Sequence, residues 1–357
     1  EAAGRRADPG DEGLSLGLAA DYEVDLWGRI DSLAQAAEYQ ARAREADYRA
    51  AAITLSAEVA RTWYGLQAAH AQAGLIREQL AANRQVRDLV KTRVTIGQRN
   101  RADLLRQEQL LESTREELHA IEARIGVLEH QLSVLLGRAP QAGIEYRATG
   151  LPALPPLPDT GLPADLVQRR PDIQRVFHEL RAADESLAAA ISNRYPRLSL
   201  SASLTTTSEG PDELFRDWIE TLAANLTAPL VDGGRREAAV DEARAVVDRQ
   251  LAAYRQATLA AYREVEDALV QEAGQRKTLQ SVQRQRELAA ETVERLRQQY
   301  FNGIGNYIDV LTAQTERQRL QRDQISARRD LVEFRIALYR ALAGGFDTPE
   351  LSRTTVP

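Results

Sequence analysis

The stretch Trp218-Ile219-Glu220-Thr221-Leu222-Ala223-Ala224-Asn225-Leu226-Thr227-Ala228-Pro229-Leu230-Val231-Asp232-Gly233-Gly234-Arg235 changes period partway along. Up to Leu230 the apolar residues Leu222, Ala224, Leu226, Ala228 and Leu230 fall on even positions, with Asn225 and Thr227 between them. That is the period of a strand with two unlike faces. Beyond Arg235 the spacing becomes three and four, through Val240, Ala243, Val247, Leu251, Tyr254, Val265 and Leu269, then Val293, Leu296 and Tyr300. That is the period of a helix. No proline interrupts Arg235 to Phe301, and at 1.5 Å per residue a helix over that stretch is about 100 Å long. No compact domain is that wide. A narrow, alanine-rich apolar stripe on such a helix is buried only against other long helices, in a coiled coil or a helical tube.

Upstream, Leu198, Leu200, Ala202 and Leu204 alternate with Ser199, Ser201, Ser203 and Thr205. With a loop through Gly210-Pro211 this strand and Trp218 to Leu230 form a hairpin, Trp218 standing as an interfacial anchor. Leu14 to Leu26 alternates likewise, its even positions apolar. All three runs reach the 9 to 11 residues or so of a membrane-spanning strand. A half-buried sheet in a soluble protein gives the same alternation; a hairpin running straight into a 100 Å helix favours the spanning reading. The halves also repeat. Gly28-Arg29 aligns with Gly234-Arg235, Tyr48 with Tyr254, Glu58 with Glu264, Gly97 with Gly303, Asn100 with Asn306, Asp103 with Asp309 and Leu105 with Leu311, each at an offset of 206 (234 − 28). Chance matching would not place rare Gly, Asn and Asp pairs at the same breaks, so the chain reads as a tandem duplication. The expected organisation is a first repeat over 1–138, a Pro-rich connector over 139–163, a second repeat over 164–346 and a tail over 347–357. The partner of residues 198–205 in the first repeat would lie before residue 1, so the chain is expected to begin inside a repeat.

Composition narrows the function. The 357 residues are 43% apolar, 27% charged and 5% aromatic, which excludes a collagen-like or disordered chain. A net charge of −6 and a pI near 5.5 leave no broad basic field for nucleic acid. Without Cys there is no disulfide, thiolate zinc site, iron–sulfur cluster or cysteine nucleophile in these residues. Residues 1–13 carry neither an apolar signal core nor a basic start, so the reading is a mature or truncated chain. His70, His119, His130 and His178 lack metal-ligand spacing and read as exposed helix positions. Ser56, Ser113 and Ser186 have no base at motif spacing. Asp232-Gly233-Gly234 reads as a strand-to-helix bend rather than a phosphate cradle. No enzyme, cofactor or metal is expected, and charge-dense runs such as Arg317 to Arg329 read as solvated helix faces, some of them lining a duct.

Four ordered motifs then carry a resemblance: Asp21-Tyr22-Glu23-Val24-Asp25-Leu26-Trp27-Gly28-Arg29, Arg169-Arg170-Pro171-Asp172-Ile173, Ala228-Pro229-Leu230-Val231-Asp232-Gly233-Gly234-Arg235, and Gly303-Ile304-Gly305-Asn306-Tyr307-Ile308-Asp309-Val310-Leu311. Over residues 14–346 the chain resembles TolC-like outer-membrane efflux proteins of the OprM and NodT lipoprotein branch. The resemblance implies a mainly α fold: tandem antiparallel coiled coils form an α-barrel in the periplasm, below a trimeric β-barrel with four strands per subunit. It also places a signal peptide, a lipid-bearing Cys, a first long helix and a first strand ahead of this sequence. Physics requires assembly as well, because the smallest spanning barrels use about 8 strands, and open edges in lipid leave unpaired groups at several kcal/mol each. Two, three or four copies satisfy that argument; three is what the resemblance implies.

Gly97 and Gly303 break the long helices, and Asn100-Arg101-Ala102-Asp103 and Asn306-Tyr307-Ile308-Asp309 open the returning ones. Gly suits the left-handed position after a helix, Asn caps the next helix, and Asp favours its N-terminus. Capping alone accounts for these residues. The resemblance adds that such tips dock a periplasmic membrane-fusion adaptor, at Gly97, Asn100, Leu104, Leu105, Gly303, Asn306, Val310 and Leu311. It also implies an aperture gated by Asp103, Asp309 and the aromatic Tyr300; an Arg used as gate partner in the family would fall at Gly305. The expected function is the passive exit duct of a tripartite, RND-type efflux system for drugs or other small toxic compounds. Its expected partners are two further copies, the adaptor, an inner-membrane transporter reached through it, and outer-membrane lipid. The alternatives are the exit channel of a type I protein secretion system and a soluble periplasmic coiled-coil adaptor. An adaptor would carry a lipoyl-like β domain where this chain has a Pro-rich connector and a second hairpin.

Overall fold

The structure, a computed structural model, describes residues 14–140, 150–158, 168–208, 212 and 215–343. Its elements in chain order are β1 (Leu14–Val24), α1 (Arg29–Thr95), α2 (Arg101–Leu135), α3 (Pro171–Ser192), β2 (Arg197–Ser208), β3 (Trp218–Thr227), α4 (Arg235–Phe301) and α5 (Tyr307–Ala341). Helices α1 and α4 have 67 residues each, α2 and α5 35 each. Adding 206 to the bounds of α1 and α2 reproduces those of α4 and α5, so the duplication extends to both ends of these helices. The hairpin loop at Gly210-Pro211, the tail over 347–357 and connector residues 141–149 and 159–163 lie outside the described residues.

The chain divides into two compact units, Glu1–Ala46 with Ile173–Ala257, and Asp47–Asp172 with Thr258–Pro357. The first holds the sheet, in the antiparallel order β1-β2-β3. Its register stacks Val24, Leu198 and Leu226 in one row, Tyr22, Leu200 and Ala224 in the next, then Ala20, Ala202 and Leu222. The intervening rows hold Glu23, Ser199 and Asn225, and Asp21, Ser201 and Ala223. Partners across a ladder share a face, so the three alternations combine into one apolar and one polar face. A lipid-facing and water-facing barrel wall has that composition. β3 stops at Thr227, short of the expected Leu230, because Pro229 has no amide hydrogen for a ladder.

Aromatic residues mark both ends of the sheet. Trp27 stacks on Tyr195 with centroids 4.9 Å apart and donates its indole N–H to the Pro196 carbonyl at 2.8 Å. At the other end Phe215 lies 6.5 Å from Trp218, which pairs with Thr206. Eleven residues along the chain from Tyr195 to Thr206 give about 36 Å of strand. A barrel tilt of about 40° reduces this to roughly 28 Å, close to the height of a barrel's apolar band. Among the described residues no helix is long and apolar enough to cross a membrane. Two of the four histidines depart from expectation. His119 and His130 are exposed, whereas His70 and His178 are half-buried. His178 stacks 6.1 Å from Tyr39, and burial, then the Arg42 charge, lowers its pKa.

In the second unit α1 and α2 zip together through Leu66, Ala69, Ala73, Ile76, Ile121, Ile125 and Leu132. Two buried arginines tie down the connector and its exit. Arg335 of α5, 1% exposed, donates to both carboxylate oxygens of Glu272 at 2.7 and 2.8 Å and to the carbonyls of Pro155 and Pro156 at 2.9 and 3.1 Å. Arg170 donates to Asp172, to Glu264 of α4 and to the Ala341 carbonyl that ends α5. Pro171, with no amide hydrogen to lose, then starts α3 at its first helical position.

Candidate functional site

The two helical tips have the same backbone for the same reason. Gly97 and Gly303 take φ of 73° and 78°, which costs a residue with a Cβ about 1 kcal/mol or more. Each closes the preceding helix with a paired 6→1 and 5→2 arrangement: Gln98 N–H to Arg93 carbonyl at 2.9 Å and Gly97 to Val94 at 3.1 Å, then Ile304 to Gln299 at 3.0 Å and Gly303 to Tyr300 at 3.2 Å. The caps differ. Asn100 accepts from the Ala102 amide at 3.1 Å, as expected. Asn306, although extended at φ −90° and ψ 148°, makes no side-chain cap bond. Its turn is fixed instead by the next residue, Tyr307, buried against Tyr300 with centroids 5.4 Å apart.

Val90, Tyr300, Tyr307 and Val310 form a buried cluster, flanked by half-buried Val86, Val94, Leu104, Leu296 and Leu311. It joins the first helical hairpin to the second. Arg99 lies 3.9 Å from the Tyr300 ring centroid and donates to the Tyr300 carbonyl at 3.3 Å. Arg93 stands 5.1 Å over Phe301, and the Tyr307 hydroxyl donates to Gln107 at 2.6 Å. Burial raises the pKa of both tyrosines above the phenol's ordinary 10, so both stay neutral; Tyr307 donates, whereas the buried Tyr300 hydroxyl has no hydrogen-bond partner among the described residues. At Gly305, where the resemblance places an Arg, a Cβ would lie 3.2 Å from the Tyr300 nitrogen, a tight contact that needs the neighbouring backbone to give by a few tenths of an ångström. The guanidinium on Tyr300 comes from Arg99 on the other tip.

Above this cluster the seam between the hairpins is polar. Asn83, fully buried, donates to Thr114 at 3.1 Å and to Gln318 at 3.4 Å, and its side-chain oxygen accepts from Gln314 and Gln318, each at 2.9 Å. Gln107 donates to the Asn83 carbonyl, Gln79 to Gln321, and Arg322 to Gln79 and Glu117. Each hairpin thus presents amides where a coiled coil would have leucines. Within the run Arg317 to Arg329, expected to be solvated, Gln318 is buried, and Asn83, Gln107, Arg93 and Arg99 were not expected at a contact. The available signal was spacing: Gln72, Gln79 and Asn83, and Gln314, Gln318 and Gln321, recur at helical intervals on what must be an inward stripe.

The expected site residues therefore separate into two groups. Val310 is buried, and Leu104 and Leu311 are half-buried in the tip cluster. Leu105 is 56% exposed, and Gly97, Asn100, Gly303 and Asn306 are exposed around it. Two further exposed apolar residues flank the tip glycines, Ile96 and Ile304, the latter 82% exposed. Tyr300 is buried in this single chain, 6% exposed. Asp103 is largely shielded and lies 3.5 Å from Arg106, while Asp309 is exposed. Among the described residues no cluster of three or more His, Cys, Asp or Glu could hold a metal ion.

A two-faced sheet leading into duplicated 67-residue helices that end in paired tips defines a subunit of an outer-membrane channel. The chain belongs to the outer membrane efflux protein family, whose profile matches residues 4–138 and 162–344. It is 30% identical over 338 residues to the pyoverdine export outer membrane protein OpmQ of Pseudomonas aeruginosa, covering 94% of this chain and 71% of that protein. Against the outer membrane protein OprJ of the same species the identity is 32%, over 93% of this chain and 70% of that one. The solved structure of a Pseudomonas aeruginosa membrane protein superposes with a TM-score of 0.88 at 28% identity, over 95% of this chain and 82% of that one. The open-state MtrE channel of Neisseria gonorrhoeae gives 0.82 at 26%, over 93% and 76%. The protein is an outer-membrane efflux channel that extends into the periplasm. Its family is one of ducts, not an enzyme class, and the soluble-adaptor alternative falls.

Proposed function

We propose that this chain forms, as a trimer, the passive exit duct of a tripartite RND-type efflux pump for small toxic compounds, and that an adaptor opens it at the helical tips. The observation that carries this reading is the tip itself. Its apolar residues divide into a cluster that holds the two hairpins together and an exposed set, Ile96, Leu105, Phe301, Ile304 and Ile308, left for a partner. Energy comes from the inner-membrane transporter, which the adaptor connects to the duct. Among the relatives, names refer to pyoverdine, toluene and cations, and such varied cargo suits a water-filled lumen without a fitted pocket.

Three copies bring three Asp309 carboxylates to the narrow end, with the shielded Asp103 behind each. Like charges drawn together there attract cations. The full-length channel in planar bilayers is expected to prefer cations and to be blocked by multivalent cations. Asp309→Asn should remove most of both properties, and Asp103→Asn with Asp309→Asn all of them. Unchanged selectivity and block in the double variant would return both aspartates to helix capping and remove the acidic aperture.

A further inference from the structure

Where β3 leads into α4 the surface opens into a crevice of about 420 Å³ lined by Arg194, Leu230, Val231, Asp232, Arg236 and Glu237 around the Pro229 and Gly233-Gly234 bends. Two of its charges are already used. Asp232 caps α4 by accepting from the amides of Gly234 at 3.1 Å and Arg236 at 3.3 Å, and it also takes the Arg236 guanidinium at 3.3 Å. Two are not. The Arg194 guanidinium and the Glu237 carboxylate have no hydrogen-bond or ion-pair partner among the described residues, and both are exposed. Beside them Leu230 and Val231 are 91% and 95% exposed. Leu230 continues the even-position apolar series of β3, in which Leu222 and Leu226 are also exposed. Arg194 directly precedes Tyr195, half of the aromatic stack at this end of the sheet.

The crevice therefore combines one unpaired cation, one unpaired anion and an apolar lip continuous with a lipid-facing wall. Because the helices extend into the periplasm, it lies at the headgroup level of the periplasmic leaflet. We propose that it is a binding site for a zwitterionic phospholipid with a primary ammonium, phosphatidylethanolamine. The phosphodiester accepts from Arg194, the ammonium donates to Glu237, and an acyl chain runs along Leu230 and Leu226. An anionic headgroup without an amine leaves Glu237 unmatched, and a trimethylammonium has no N–H to donate to it. Matching both charges at once selects one headgroup rather than a surface potential, which would respond only to net charge.

The test uses full-length trimer in detergent and native mass spectrometry with palmitoyl-oleoyl phosphatidylethanolamine, -choline or -glycerol, and with glycerophosphoethanolamine, which has no acyl chains. Wild-type protein should retain the ethanolamine lipid roughly tenfold more strongly than the choline lipid. Glu237→Gln should bring the two level without changing choline-lipid binding. Arg194→Gln should weaken all three lipids, and Arg194→Lys should recover most of the loss. The unchanged trimer mass reports that each variant is folded; for Glu237→Gln the unchanged choline-lipid binding does so as well, and for Arg194→Gln the recovery in Arg194→Lys does. Equal retention of all three lipids by the wild type, undiminished ethanolamine preference in Glu237→Gln, or binding of glycerophosphoethanolamine as strong as that of the lipid would each overturn the proposal.

Discussion

Changing Leu105→Asp together with Ile304→Asp is expected to reduce export to the level of a strain lacking the protein, with normal amounts of it still in the outer membrane. Both side chains are exposed in the subunit, at 56% and 82%, so neither change removes a packed group, and the stability cost should stay within about 0.5 kcal/mol each. At an interface with an apolar partner, each new carboxylate must be desolvated without a counter-charge, which costs several kcal/mol. Two such sites per subunit, three subunits per channel, leave no docked state at cellular concentrations. Drug accumulation in whole cells, read beside immunoblots of outer-membrane fractions, separates this from a folding defect. Normal export by the double variant would remove the tips from the docking surface. Leu104→Ala is the contrasting change, since Leu104 packs in the inter-hairpin cluster and its truncation should cost stability first.

The second large effect is expected at Arg335. Replacing it with Ala leaves Glu272, itself 1% exposed, with only Arg276 at 2.7 Å, and leaves the Pro155 and Pro156 carbonyls without their donor. Removing one partner of a buried pair costs about 3–5 kcal/mol, whereas replacing both with apolar residues of similar volume is often nearly neutral. Urea unfolding followed by helical circular dichroism should show that loss for Arg335→Ala and far less for Arg335→Met with Glu272→Met. Equal losses in the two variants would mean that volume, not the ion pair, holds the connector. The pH dependence has a definite sign. Burial pushes the Glu272 carboxyl upward, but hydrogen bonds from Arg335 and Arg276 outweigh it and hold the group below its ordinary 4.5. The pair's contribution is therefore complete above about pH 4.5 and declines as acid carries the pH down through the lowered value. The double-Met variant should lack that component of acid sensitivity.

What could be read from the sequence followed from periodicity and from residues with narrow backbone requirements. The 67-residue span of α4, the alternating strands and the two tip glycines rest on local patterns, and the 206-residue offset made each repeat a check on the other. The polar seam was not legible, because Asn83, Gln107 and Gln318 look like surface residues until a neighbouring hairpin is placed against them. The same holds for Arg335, whose partners lie in α4 and in the connector, 63 to 180 residues away in sequence. Nor does a motif reveal which of its members face inward. Gly303 to Leu311 reads as one tip signature, yet Tyr307 and Val310 are buried and Ile304 is not. At Gly305 a side chain would be crowded by Tyr300 and Gln299, while Arg99 of the other tip brings its guanidinium to the Tyr300 ring.

The central claim is that this chain builds its membrane wall only in company with copies of itself. In the described sheet β1 and β3 each pair on one side alone, with β2, and three or four strands cannot close a barrel in lipid. Native mass spectrometry of the full-length protein extracted from outer membranes in mild detergent is the direct measurement. The expected result is a single species at three times the subunit mass. A population of monomers alone, under conditions in which a porin from the same membranes keeps its oligomer, would contradict the account.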